Sequence, residues 1–297
     1  MYHNPVLVQE SVEGLQIKES GIYVDVTFGG GGHSREILKR LGGSGQLWAF
    51  DQDEDALQNR IPDERVTLIQ GNFRYVAQFL KFYGILKVDG ILADLGVSSH
   101  QFDEAQRGFS TRFDADLDMR MDQQGELTAY DVVNTYDYGR LQNLFFQYGD
   151  LRNAKALANT LVQQRQKGPI YTTAQLKEVL HKFLPKHREH KVLAQIYQAI
   201  RIEVNQEILA LQEFLLQVPD LLNLAGRLSV ISYHSLEDRL VKRFIREGRF
   251  QGEAEKDFYG NKSVPLKKMG NLMVPSAEEV KKNNRARSAK LRIAEKI

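Results

Sequence analysis

Ile22-Tyr-Val-Asp-Val-Thr-Phe-Gly-Gly-Gly-Gly-His-Ser34 is the stretch on which the reading of the chain turns. Its β-branched start predicts a strand over 22–26, and the pattern after Ser34 predicts a helix to about Arg40. Between them stand four consecutive glycines, Gly29 to Gly32, which tolerate positive φ and let backbone approach a ligand closely. Further strands are predicted at 46–50, ending at Asp51, at 66–70, and at 88–93, ending at Asp94. Strands separated by helical segments predict an α/β fold, a parallel sheet with helices on both faces. Such sheets bind ligands beyond the carboxyl ends of their strands, where strand order reverses. The glycine cluster, Asp51 and Asp94 all belong to that edge.

The pattern breaks after the fourth strand. Residues 103–126 carry seven acidic and three basic side chains among short apolar pieces. From about Leu127 to Phe214 the period is helical, with one long helix expected over 192–214. Residues 151–205 carry ten Lys+Arg and three Asp+Glu. A strand returns at 227–232, a helix follows at about 236–246, and 247–272 reads as a mobile loop. The alternation 289–294 reads as an edge strand. The expected organisation is a discontinuous α/β domain, 1–105 and 207–297, with a helical domain inserted over 106–206.

Length and composition narrow the class. The chain has 297 residues, 42% of them hydrophobic and 26% charged, as an ordinary globular enzyme does. Its 40 Lys+Arg against 38 Asp+Glu give a net charge of +2, so bulk positive charge cannot hold nucleic acid, although a local basic patch can. The absence of Cys excludes thiol catalysis and Cys-ligated metal, and fits a reducing compartment such as the cytoplasm. No signal segment and no membrane span are predicted.

Asp51 lies 22 positions after Gly29. At the end of the second strand it can accept hydrogen bonds from both ribose hydroxyls of a nucleoside cofactor. A phosphate-cradling GxxxxGK[ST] motif is missing, and Ser34 stands where a dinucleotide fingerprint wants its third glycine. That leans towards S-adenosylmethionine, which has no pyrophosphate. A nicotinamide-dependent oxidoreductase is the rival enzyme, and a non-catalytic RNA-binding factor the rival outside enzymes. Phe73 can stack on an adenine or simply pack in the core. Asp94 can orient an exocyclic amine, or merely cap its turn.

His234 follows the fifth strand and is a candidate beside Asp94, while Ser235 and Asp238 read as a helix-capping pair. Gln198, Arg201 and Asn205 share one helical face, by default a solvated one. His181, His187 and His190 lack convincing carboxylate partners, so no metal is expected. From Lys262 to Arg292 there are nine Lys+Arg and two acidic residues. Arg285 and Arg287 within that run suit a phosphate backbone, against the alternative of a solvated edge strand.

Taken in order, several blocks resemble one family, the RsmH (MraW) 16S rRNA cytosine-N4-methyltransferases. They are His3-Asn-Pro-Val-Leu, the glycine stretch, Phe50-Asp-Gln-Asp53, Asp89-Gly-Ile-Leu-Ala-Asp-Leu-Gly-Val-Ser-Ser99 and Arg107-Gly-Phe-Ser110. Leu117-Asp-Met-Arg-Met121, Gln198-Ala-Ile-Arg-Ile202, Ile231-Ser-Tyr-His-Ser-Leu-Glu-Asp-Arg239 and Arg285-Ala-Arg-Ser-Ala-Lys-Leu-Arg292 complete them. The resemblance implies a Rossmann-like S-adenosylmethionine-dependent methyltransferase with a helical insertion. It implies methylation of the N4 amine of a decoding-centre cytidine in 16S rRNA of the small ribosomal subunit. No membrane partner is expected, and a homodimer is left open by the sequence. Cofactor positions carry over as Gly31, Gly32, His33, Asp51, Phe73, Asp94 and Gln101. Asp94 and His234 are then the expected catalytic residues, and Arg201, Asn205, Ser235, Arg285 and Arg287 the expected substrate contacts. The chain departs from the family pattern at Gly30 for Arg, at His100 for Pro, at Tyr233 for Phe and across 189–197.

Overall fold

The computed structural model describes residues 5–297, so His3 and Asn4 of the first block lie outside the described residues. Its strands are β1 (Ile22–Asp25), β2 (Gln46–Asp51), β3 (Val66–Gln70), β4 (Val88–Asp94), β5 (Leu222–Ser232), β6 (Leu266–Met273) and β7 (Lys290–Lys296). They form one sheet in the order β3-β2-β1-β4-β5-β7-β6. The first five strands pair in parallel, and β7 is antiparallel to both β5 and β6. The chain leaves β1 for β2 on one side and returns to β4 on the other. The switch point of this α/β fold therefore falls between β1 and β4, where the glycine stretch emerges.

The alternation of the strands explains the layering. Phe50 and Trp48 of β2, with Ile91 and Ala93 of β4, face a core shared with Leu80, Phe214 and Phe244. Leu47 of β2 and Leu92 of β4 face the opposite core with Val12, Ile37 and Leu41. Both faces are buried, so these strands read as nearly continuous apolar runs. The chain divides into two compact units: one runs to Gly96 and resumes at Ile208, and the other is Val97–Glu207. The second unit is helical and has its own core, including Leu141, Phe145, Leu157, Leu161, Ile196 and Ile200.

Three elements differ from the sequence expectation. The long helix over 192–214 is two helices, Glu189–Val204 and Glu207–Leu221. Gln206 breaks it at φ 49°, a left-handed conformation. The segment 247–272 is not wholly loop, because β6 begins at Leu266. β6 escaped notice because neither face of Leu-Lys-Lys-Met-Gly-Asn-Leu-Met is fully covered and its register shifts between Met269 and Met273. Consequently β7 is not the edge strand. β6 takes that place and carries the exposed Lys267 and Lys268 that guard an open edge.

Arg201 and Asn205 are not a solvated face. Arg201 Nε and Nη2 donate to the two carboxylate oxygens of Glu207 at 2.7 and 2.9 Å. Asn205 Oδ1 accepts from Met121 N at 2.7 Å, and its Nδ2 donates to Met119 O at 2.8 Å and Arg201 O at 2.9 Å. Asn205 thereby holds the Met119–Met121 backbone to the end of a helix, and Arg201 ties that end to Glu207. Asn205→Ala should therefore lower stability by about 2 kcal/mol, the scale of leaving backbone groups without their partner. Urea unfolding measures it, and an unchanged midpoint would return Asn205 to the surface role.

Candidate active site

The site grows from the turn after β1. Asp25 is wholly buried, and its Oδ1 accepts from Thr27 N at 3.1 Å while its Oδ2 accepts from Ser34 Oγ at 2.6 Å. This clasp fixes both ends of the glycine run. Gly31 sits at φ 73° as the N-cap of the helix Gly32–Leu38, and a Cβ there would meet the Phe28 ring at 2.9 Å. A Cβ on Gly32 would stand 2.7 Å from Pro5 Cγ. Gly31 is thus required by conformation and Gly32 by close approach.

Asp51 ends β2 beside this turn. Its Oδ2 accepts from Gly29 N at 2.7 Å and its Oδ1 from Asp53 N at 2.9 Å. Burial pushes its carboxyl up to about 6 against the pull of those two amides. A carboxylate offers roughly four acceptor positions, so room remains on both oxygens for hydroxyl donors. Phe73 follows β3, half-buried, with its ring edge-on to Phe214 at 5.5 Å.

Asp94 ends β4. Thr27 Oγ1 accepts from its backbone N at 2.7 Å, which ties it to the turn after β1. Its Oδ1 accepts from Tyr233 Oη at 2.8 Å, and its Oδ2 lies 3.7 Å from His33 Nδ1. His33 is buried, and its Nε2 lies 3.1 Å from Val6 O. The Asp94 side chain keeps 21% exposure, yet the buried surroundings push its carboxyl up to about 6, with His33 and the Tyr233 hydroxyl pulling the other way.

β5 pairs with β4 so that Ile231 faces Asp94, which puts Tyr233 and His234 just past the same edge. The capping pair expected at Ser235 and Asp238 is corrected here. His234 is itself the N-cap of the helix Ser235–Glu247, and its box partner is Glu237. Buried Glu237 Oε2 accepts from Tyr233 N at 2.9 Å and from His234 N at 3.3 Å. His234 Nε2 lies 3.1 Å from Glu237 Oε1 without the alignment of a hydrogen bond. His234 thus does have a structural duty. Asp238 instead receives Arg292 Nε at 2.7 Å and Lys290 Nζ at 3.3 Å.

The remaining expected residues are scattered around the two units. Ser235 is exposed on the first turn of its helix. Arg285 and Arg287 lie on the short turn Asn284–Ser288 that leads into β7, Arg285 half-buried and Arg287 exposed. Lys290 and Arg292, counted in the same basic run, share the single carboxylate of Asp238. Gln101 belongs to the helical unit, where its Oε1 accepts from Ser98 N at 3.0 Å in a capping box. Tyr233, Glu237 and Thr27 join the site beyond the expected residues. Only the neighbourhood of His234 pointed to the first two, and nothing local pointed to Thr27.

Because the folded Asp94 carboxyl titrates above its ordinary 3.8, its contribution to stability is complete below about pH 3.8 and is lost as the pH rises through about 6. Asp94→Asn removes that titration and can still accept from Tyr233. Relative to the parent it should gain about 2 kcal/mol between pH 4 and pH 8, discounted from the full shift for residual exposure. Urea unfolding at the two pH values checks this, and equal differences at both would mean an unshifted carboxyl.

Comparison with known proteins follows the same lines. A family model described as the MraW methylase family matches residues 1–297. A ribosomal RNA small subunit methyltransferase H from Flavobacterium johnsoniae is 67% identical over 296 residues, covering 100% of this chain and 98% of that protein. The protein of the same name from Christiangramia forsetii is 65% identical over 296 residues, with the same coverage. Among solved structures, TrmN from Thermus thermophilus aligns with 98% of this chain and 48% of its own at 12% identity and a TM-score of 0.45.

Proposed function

The chain belongs to the MraW methylase family, and from that premise we propose that it is an S-adenosylmethionine-dependent methyltransferase of small-subunit ribosomal RNA. The finer reading is that it methylates the N4 amine of a decoding-centre cytidine in 16S rRNA. The observation that carries it is the pair of half-exposed carboxylates, Asp51 and Asp94, at strand ends on either side of the glycine turn. Asp51 has acceptor capacity for the ribose hydroxyls, the glycine turn admits a ligand at close range, and Phe73 offers ring surface for the adenine. When bound, S-adenosylmethionine supplies an electrophilic methyl on its sulfonium.

The chain's own work is to make a poor nucleophile reactive. The N4 lone pair of cytosine is delocalised into the ring, so it must be rotated out and held in line. Asp94 can accept a hydrogen bond from the amine and take up the proton released on transfer, and a carboxyl near 6 suits that exchange. His234, tethered through Glu237 to Tyr233, is the second group able to move a proton. A base within a helix is out of reach, so the target is single-stranded or extruded.

The helical unit 97–207 is read as the substrate-recognition part. Within it, Arg201 and Asn205 act by shaping the fold. Gln101 is read as a cofactor residue, and Ser235, Arg285 and Arg287 as RNA contacts. No helix among the described residues is long and apolar enough to cross a membrane, and the proposed site of action is the cytoplasm.

The decisive experiment is single-turnover methyl transfer to unmodified small ribosomal subunits at saturating labelled donor, with nucleoside mass spectrometry of the product. The parent should yield N4-methylcytidine, and Asp94→Asn should be slower by roughly 10²-fold or more, the scale of acid–base contributions. A different methylated nucleoside would overturn the finer reading, and near-parental turnover by the variant would remove Asp94 from the chemistry. Replacing Arg285 and Arg287 together by Gln should weaken RNA binding and flatten its salt dependence by up to about two phosphate contacts. An unchanged slope in filter-binding titrations would assign both to a solvated turn.

A further inference from the structure

We infer that Tyr233 is a positioning residue for Asp94, its hydroxyl holding one carboxylate oxygen so that the other alone is presented to the reacting groups. This rests on the reading of Asp94 above. The geometry is over-determined. Tyr233 Oη donates to Asp94 Oδ1 at 2.8 Å, while its own backbone N donates to Glu237 Oε2 at 2.9 Å. Its ring packs with Val6, Leu7, Ile231 and Leu291, and a Cβ on Gly96 would lie 3.6 Å from its Cδ2. A side chain fixed at its backbone, its ring and its hydroxyl has little freedom to follow Asp94. Asp94 instead has to orient to it.

The consequence is a division of labour between the two oxygens of one carboxylate. Thr27 pins the backbone of Asp94, Tyr233 takes Oδ1, and Oδ2 is left on the His33 side at 3.7 Å, beyond a direct hydrogen bond. Without the hydroxyl the carboxylate can rotate about its Cβ–Cγ bond, and the two oxygens become interchangeable. The ionisable groups facing Asp94 are His33 from the helix Gly32–Leu38, Asp25 from β1, Glu237 from the helix Ser235–Glu247, and Tyr233 itself. Asp25 and Glu237 are acidic, and no Lys or Arg pairs with Asp94 among the described residues. The phenol is the neutral donor that favours the ionised carboxylate in this acidic setting. Burial and the neighbouring carboxylate drive its own pKa well above the ordinary 10.0, so it keeps its proton and donates throughout the working pH range.

The test is Tyr233→Phe in the full-length protein, which deletes the hydroxyl and keeps the ring. A hydrogen bond to the charged form lowers an acid's pKa, so its loss raises it. A carbon-13 carboxyl titration of the free protein should place Asp94 higher in Tyr233→Phe than in the parent by roughly one unit. Single-turnover methylation at saturating donor should show the acidic limb displaced upward by the same amount, so that the deficit at pH 6 exceeds that at pH 8. A purely structural Tyr233 would move the melting temperature and leave both titrations in place, and that result overturns the inference. Asp94→Asn run alongside separates the two levels. If it keeps near-parental turnover, the reading of Asp94 fails. If it is slow while the Tyr233→Phe titrations coincide with the parent, that reading stands and the positioning role fails.

Discussion

A single buried carboxylate organises the carboxyl edge of the parallel strands. Asp25 accepts from Thr27 N and from Ser34 Oγ, one at each side of the glycine run. Thr27 in turn accepts from Asp94 N through its hydroxyl. One clasp thus ties β1, the glycine turn, the following helix and the end of β4 into one unit. Burial pushes the Asp25 carboxyl up, so the ionised clasp exists at a cost in desolvation. A buried acid left without its donors would be far more costly. The left-handed Gly31, the closeness of Gly32 to Pro5 and the direction of the Asp94 backbone all adjoin this arrangement.

Two sets of carboxylates contrast electrostatically. Glu247 receives Ala254 N and Lys262 Nζ and is held down to about 2, and Asp63 is likewise held to about 2 by Arg65. Burial works against Asp238, but Arg292 and Lys290 still keep it below its ordinary value. These groups act as permanent charges that join strands, helices and loops. Asp25, Asp51 and Asp94 have no Lys or Arg partner among the described residues, and burial raises all three. Asp51 and Asp94, pushed up to about 6, also keep acceptor capacity, an arrangement suited to hydroxyl and amine donors.

The helical unit shows a conserving use of polar side chains. Arg201 and Asn205 look like a surface row on a helix wheel, yet both close contacts within 97–207. The left-handed Gln206 ends the helix between them and Glu207, bringing the Glu207 carboxylate back onto Arg201. What a helical projection presents as a solvated stripe is a set of contacts that closes the end of the helix Glu189–Val204.

The first five strands, the glycine turn and the acids at strand ends were legible along the chain. These are local properties: β-branched runs, the freedom of glycine, and the position of an acid after an apolar stretch act over a handful of residues. Half-covered β6 was illegible for the same reason, since an exposed edge strand has no buried face to impose alternation. Which partner each polar group takes follows instead from how the strands and helices pack. Tyr233 meets Asp94 across 139 residues and Arg292 meets Asp238 across 54. His234 displaced Ser235 as the helix cap because Glu237, not Asp238, points back at the strand end. A hydrogen bond needs a donor and an acceptor about 3 Å apart, and that proximity is set by the order in which strands pair, which no local pattern encodes.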